Sequence, residues 1–198
     1  MAEVTGEQRR VGVFGGTFDP PHIAHVVLAA AAVHQLDLDE LIVMPAGVPW
    51  QKVGSRQISS GAARLRMCAA AFEPVDKVVV SDMEVLREGD TYTVDTLEAL
   101  SAPDVELHLL LGSDTAAGLD TWHRPEDVAR LARIAVFPRR GQEGAPPEGF
   151  EWSPLALPGL EVSSTDIRRR VQVGEPIDGL VPPLVRQIVD AEGLFPAS

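Results

Sequence analysis

At 198 residues, with 45% hydrophobic and 23% charged side chains, the chain can bury one sizeable core without staples, and its composition is that of an ordinary globular domain. A formal charge of -12 argues against a general nucleic-acid or anionic-membrane surface, so any positive charge meant for an anionic ligand must be gathered locally. Lysine occurs only at 52 and 77, which leaves that task mostly to arginine, and the single cysteine, Cys68, excludes an internal disulfide framework and suits a reducing cytoplasm.

The first ten residues are polar and charged with no apolar centre, so they are neither a signal peptide nor a spanning segment, and residues 1–9 are expected to form a flexible tail. No apolar run in the chain approaches the roughly 18 residues of a membrane helix. Val11, Val13 and Phe14 then read as a buried strand that stops at Gly15-Gly16, where the absence of a Cβ lets the backbone turn and approach a ligand. Pro20 and Pro21 preset φ for a helix start, and the alanine-rich run from Ile23 to Val33 continues as that helix. A strand, a glycine turn and a helix N-terminus in succession make an anion site, because free N–H groups and the positive end of the helix dipole meet there. His22 and His25 stand three apart in the first turn and on one face, where two imidazoles can donate to phosphate oxygens. The pair alone also fits a metal half-site or two ordinary polar residues at a helix start. The metal reading lacks further ligands at suitable spacing, and this is not an H-E-x-x-H arrangement.

Strands and helices alternate beyond this unit. Leu41 to Met44 predicts a second strand ending at Pro45, followed by a glycine- and proline-marked loop from Ala46 to Ile58, with Ser59 or Ser60 capping a helix that reaches about Phe72. Cys68 lies in that helix as a buried structural thiol. Further strands are predicted at Val78–Val80, Leu107–Leu111 and Ile134–Phe137, and helices at Thr93–Leu100 and Pro125–Leu131. Repeated strand-helix units imply right-handed crossovers and a doubly wound α/β fold with a mostly parallel sheet, whose ligands sit at the carboxyl ends of the strands. Arg139 to Gly149 is rich in glycine and proline and predicts a mobile surface loop inside a single domain spanning 1–198, because too little chain follows for a second one.

Later residues add chemistry. In Ser163-Ser164-Thr165-Asp166-Ile167-Arg168, hydroxyls at an N-cap position, free N–H groups and a guanidinium one turn on converge as a phosphate clamp, or else form a capped surface helix with solvated arginines. Asp114, at the end of the fourth strand, is placed to accept from ribose hydroxyls. Trp122 is a planar surface suited to stacking on a flat heterocycle or a half-buried packing residue, Thr93 is a contact residue or a helix cap, and Lys52 is a solvated loop lysine or a phosphate ligand. His34, His108 and His123 match no pattern and read as structural.

GGTFDPPHIAH resembles the GGTFDPxHxGH signature of the nucleotidyltransferase superfamily, and within it most closely the nicotinate-nucleotide adenylyltransferases. VSSTDIRRR resembles the ISSTxIR motif of the same family, with Val162 in place of isoleucine. Two departures stand out: Ala24 replaces the glycine of the first motif, and Trp50-Gln51-Lys52 replaces a proline-histidine-lysine sequence, keeping only its lysine. The resemblance implies a Rossmann-like fold and adenylyl transfer from ATP to nicotinate mononucleotide, with Mg2+ held mainly through substrate phosphates and no dedicated protein metal site. Carried over residue by residue, it places Gly15, Gly16, Thr17, Phe18, Asp114, Ser164 and Thr165 on ATP. It also places Thr93, Trp122 and Lys52 on nicotinate mononucleotide, with His22, His25, Lys52 and Arg168 as catalytic residues. Transfer to another phosphate acceptor, such as nicotinamide mononucleotide or phosphopantetheine, and a non-catalytic nucleotide-binding protein are the competing readings. A homo-oligomer is left open.

Overall fold

The computed structural model describes residues 8–47, 58–138 and 144–197. Its strands are β1 (Arg9–Gly16), β2 (Glu40–Pro45), β3 (Val78–Val80), β4 (Val105–Gly112), β5 (Ala132–Phe137) and β6 (Trp152–Pro154). They form one sheet in the order β3-β2-β1-β4-β5-β6, with every pairing parallel. The helices among the described residues are α1 (Ile23–Gln35), α2 (Gly61–Phe72), α3 (Met83–Leu86), α4 (Thr93–Leu100), α5 (Ser113–Ala116), α6 (Pro125–Leu131), α7 (Ser164–Gln172) and α8 (Pro183–Ala191), with a 3-10 turn at Leu119–Thr121.

The central strands explain the architecture. Val11–Phe14 of β1 and Leu107–Gly112 of β4 are buried without interruption, as a parallel strand covered on both faces must be. Alternate residues feed two cores. Phe14, Val43, Leu110 and Ala135 meet Leu28, Met67, Cys68 and Val185 from α1, α2 and α8. Val13, Met44, Leu109 and Val136 meet Val94, Leu97 and Val128 from α4 and α6. Met67 is fully buried in the first core, so Met67→Ala is expected to cost about 2–5 kcal/mol, read as an earlier midpoint of urea unfolding. Cys68 is likewise fully buried, and burial pushes its thiol well above the usual thiol range, which keeps it inert.

The doubly wound parallel fold is as expected, but several boundaries differ. Arg9, assigned to a flexible tail, begins β1 and donates its N–H to the Asp104 carbonyl at 2.8 Å. Gly15 and Gly16 do not end the strand: they still pair with Met44 and Pro45, so the turn falls at Thr17 to Pro21. The strand β6 and the helices α3, α5 and α8 were not predicted. Three of these are only three or four residues long, too short to show a period, and α8 begins within a Pro-Pro pair that reads as a turn, Pro182 capping it and Pro183 opening it. Of the predicted mobile loop, residues 139–143 lie outside the described residues. Part of the remainder is seated on the body: a Cβ at Gly144 would lie 2.4 Å from the Ser113 carbonyl oxygen, and Pro146 is buried, whereas Ala145, Glu148 and Gly149 are exposed.

Candidate active site

The chain runs from β1 outward through β2 and β3, then crosses back to place β4 on the other side of β1. The carboxyl ends of β1 and β4 therefore diverge, and a crevice opens where they part. A cavity of about 360 Å3 occupies it, bordered by Gly15 and Gly16 at the end of β1 with Thr17 and Phe18 beyond them, His25 of α1, Ala46 after β2, Gly112 at the end of β4 with Asp114 beyond it, and Ser164 of α7. Among the described residues a Cβ at Gly15 would meet nothing within 4 Å beyond its chain neighbours, whereas one at Gly16 would lie 2.9 Å from the Phe18 ring. Phe18 adopts φ 47 and is 2% exposed. Its ring stands edge-on to Phe14 and Phe72 at 5.2 and 6.0 Å, so it anchors the turn in the core while bordering the cavity.

The histidines are not equivalent, as their shared face had suggested. His22 is the N-cap of α1, extended at φ -142 and ψ 172, while His25 sits one turn in. Their rings stack with centroids 3.6 Å apart. The His22 backbone N–H donates to His25 Nδ1 at 3.1 Å, which makes Nδ1 an acceptor and leaves the His25 proton on Nε2. His25 borders the cavity. His22 is 3% exposed and lies behind it as the surface on which His25 is stacked. Ala24 falls in the first turn of α1, half-buried.

The second motif is brought to the first by the fold. Ser163, rather than Ser164 or Thr165, caps α7 and accepts from the Asp166 N–H at 3.1 Å. That leaves Ser164 to donate from Oγ to the Pro20 carbonyl at 2.8 Å, 144 positions away. Arg168 donates to the Asp19 carbonyl at 2.7 Å and to Thr165 Oγ1 at 3.0 Å. The expected convergence of hydroxyls and guanidinium on a single point is thus replaced by a strap: Ser164 reaches the cavity, while Arg168 and Thr165 tie α7 to the turn after β1. Arg169 and Arg170 pair with Asp166 and Glu175 at the surface, an exposed network of little energetic weight.

At its other end the cavity reaches Thr93, the first residue of α4, and Trp122, which follows the 3-10 turn. Four more residues here went unrecognised in the sequence. Tyr92 and His123 are ring neighbours at 4.4 Å, so His123, read as structural, instead borders the cavity. Thr96 Oγ1 donates to Glu84 Oε1 at 2.8 Å, and burial raises the Glu84 carboxyl above its usual range against the opposing effects of Thr96 and Arg87. Thr96 lies three after Thr93 and shares its helix face, a signal the sequence did contain; Glu84 comes from a helix too short to announce itself. His108 is structural as expected. It is buried with Nε2 2.9 Å from Glu106, and burial holds its imidazole below the ordinary value. Lys52 lies outside the described residues. Among the described residues no cluster of three or more His, Cys, Asp or Glu is placed to hold a metal ion, and no helix is long and apolar enough to cross a membrane.

A parallel sheet with its crevice at the strand-order reversal, a strand ending in two glycines whose following turn leads to stacked histidines, and a distant serine-arginine helix start strapped to that turn define a nucleotidyltransferase. The sequence model of the Cytidylyltransferase-like family matches residues 13–170. A relative from Exiguobacterium sibiricum, "Probable nicotinate-nucleotide adenylyltransferase", is 39% identical over 188 residues, 94% of this chain and 98% of its own. A relative of the same name from Albidiferax ferrireducens is 43% identical over 171 residues, 82% and 85% of the two chains. The structure of Plasmodium falciparum nicotinic acid mononucleotide adenylyltransferase complexed with NaAD shares the fold at a TM-score of 0.78 and 18% identity, covering 94% of this chain and 97% of that one. This chain belongs to the nicotinate-nucleotide adenylyltransferase family, and it is an enzyme.

Proposed function

We propose that the enzyme joins the adenylyl group of ATP to the phosphate of nicotinate mononucleotide, forming nicotinate adenine dinucleotide and releasing pyrophosphate. The observation that carries this reading is one continuous cavity with a glycine-and-histidine end, suited to phosphates, and a Trp122 end, suited to a flat ring. A phosphate oxygen of the mononucleotide attacks the α-phosphorus in line, and the new P–O bond forms as the bond to the β-phosphate oxygen breaks. Phosphate is a competent nucleophile at neutral pH, so the protein's work is to align two polyanions and offset the charge gathering between them.

His25, supported by His22, faces the α- and β-phosphates. Gly15, Gly16 and Thr17 let the chain pass close to ATP, with Phe18 fixing the turn, while Asp114 accepts from ribose. Ser164, with Thr165 and Arg168 behind it, holds the leaving pyrophosphate. Lys52 draws in the attacking phosphate, and Thr93 and Trp122 receive the pyridine ring. Mg2+ fits this donor set as an ion carried on ATP: the wall offers hard oxygens such as Asp114, and the ion keeps phosphates and water as its main ligands. When bound, it neutralises phosphate charge. The buried Cys68 thiol is in keeping with work in the cytoplasm.

The test is pyrophosphate release with ATP and Mg2+, comparing nicotinate mononucleotide with nicotinamide mononucleotide and phosphopantetheine. Strong preference for the first is expected. Preference for another acceptor discards the pyridine assignment, and ATP binding without release discards catalysis. Trp122→Ala is expected to raise the KM for nicotinate mononucleotide about 10-fold while leaving that for ATP within about 2-fold, measured by varying each substrate in turn.

A further inference from the structure

Arg64 is a charged residue of α2 that is only 3% exposed, and it does not border the cavity. Its guanidinium nevertheless spans the loops that build the site. Nη1 donates to the Thr17 carbonyl at 3.2 Å and to the Ala46 carbonyl at 2.6 Å, Nη2 to the Gly47 carbonyl at 3.0 Å, and Nε to the Ser59 carbonyl at 3.2 Å. Thr17 belongs to the turn after β1, Ala46 and Gly47 leave β2, and Ser59 leads into α2. The Asp19 carboxylate, 1% exposed, accepts from the Ser59 N–H at 3.4 Å and attracts the buried cation. The Asp19 carbonyl, in turn, receives Arg168.

Burying a cation is costly, and a core position on α2 is filled more cheaply by an apolar side chain. What only arginine offers is a rigid fork of five donors. In a trans peptide the C=O and N–H point in opposite directions, so gathering the Thr17 and Ala46 carbonyls on the guanidinium turns the Phe18 and Gly47 N–H groups away from it. The orientation of the turn after β1 and the placement of Ala46 and Gly47 after β2 and of Ser59 before α2 are therefore set from one atom group. We infer that Arg64 is a positioning residue for adenylyl transfer, holding the turn after β1, the residues that leave β2 and the residue that leads into α2 in register from outside the cavity.

This rests on the catalytic reading of the cavity, and the experiment separates the two. Wild-type pyrophosphate release tests that reading and establishes which acceptor the enzyme takes; Arg64 is tested by the ratio of variant to wild type with that same acceptor. Lysine keeps the charge beside Asp19 but is a point donor that cannot span four carbonyls. Arg64→Lys is expected to lower kcat per folded molecule about 10^2-fold, as a small misplacement of reacting groups does. Met67→Ala, one turn further along α2, serves as the control: it removes apolar core contacts and no hydrogen bond to these carbonyls, so it lowers stability and should leave kcat per folded molecule within about 2-fold. If Arg64→Lys does not fold, Arg64→Gln is assayed with trimethylamine N-oxide, which favours the compact state. A kcat per folded molecule within about 2-fold of wild type in the Arg64 variant, whatever its stability, would overturn the assignment and leave Arg64 as a residue of the fold alone.

Discussion

Alanine in place of His25 is expected to lower kcat about 10^2- to 10^3-fold, the range seen when one preorganised donor to a developing negative charge is removed. The magnitude follows from how the imidazole is held. Its Nδ1 is engaged by the His22 N–H, its ring is stacked on His22, and Phe18 stands edge-on to it at 5.0 Å. The Nε2–H donor therefore needs no reorganisation when charge moves toward the leaving pyrophosphate. In the ground state the same donor is worth only the net value of one hydrogen bond, so the affinity for ATP should fall by no more than about 10-fold. Turnover at saturating substrates, set beside ATP binding by calorimetry, checks this, and equal losses in the two would remove the transition-state role. His22→Ala should produce a smaller fall in kcat, since His22 does not border the cavity and its ring is stacked on that of His25, which does.

Gly15→Ala is expected to cost about 10^2-fold in kcat/KM while moving Tm by no more than about 2 °C. Among the described residues a Cβ at this position meets no atom beyond its chain neighbours within 4 Å, and Gly15 has no positive φ, so the fold itself tolerates alanine, which should even slightly restrict the unfolded chain. Yet Gly15 is exposed at the floor of the cavity, where a methyl group displaces whatever lies against the backbone. Gly47 makes the opposite case. There a Cβ would lie 2.3 Å from the Glu84 carbonyl oxygen, so Gly47→Ala should destabilise by about 1–3 kcal/mol through overpacking. Thermal melts and steady-state kinetics on the two variants check the contrast: a Gly15→Ala enzyme with unchanged kcat/KM would show that nothing needs to approach the backbone there.

Much of this protein was legible before any coordinates. The apolar runs at Val11–Phe14, Leu41–Met44 and Leu107–Leu111 announced buried parallel strands, because strands covered on both faces show continuous rather than alternating hydrophobicity. Ser60 was one of two candidate caps for α2, and it accepts from the Ala63 N–H. The glycine pair, the histidine pair and the serine-arginine run stand out in the sequence because each is a local constellation of neighbours a few positions apart, although the glycines prove to end β1 and the turn follows them. The sequence thus determined the fold class, the family and most of the short segments that meet at the cavity. Tertiary structure alone decided the division of labour within them. That His22 supports while His25 faces the cavity depends on where α1 begins, a boundary set by the N-cap. That Arg168 straps Asp19, and that Arg64 gathers carbonyls from three segments, depends on contacts across 149 and up to 47 positions, which no local period encodes. Glu84 and His123 joined the cavity for the same reason: a short helix and a turn carry no repeating signal, and only the packing of the sheet at its switch point brings them to the site.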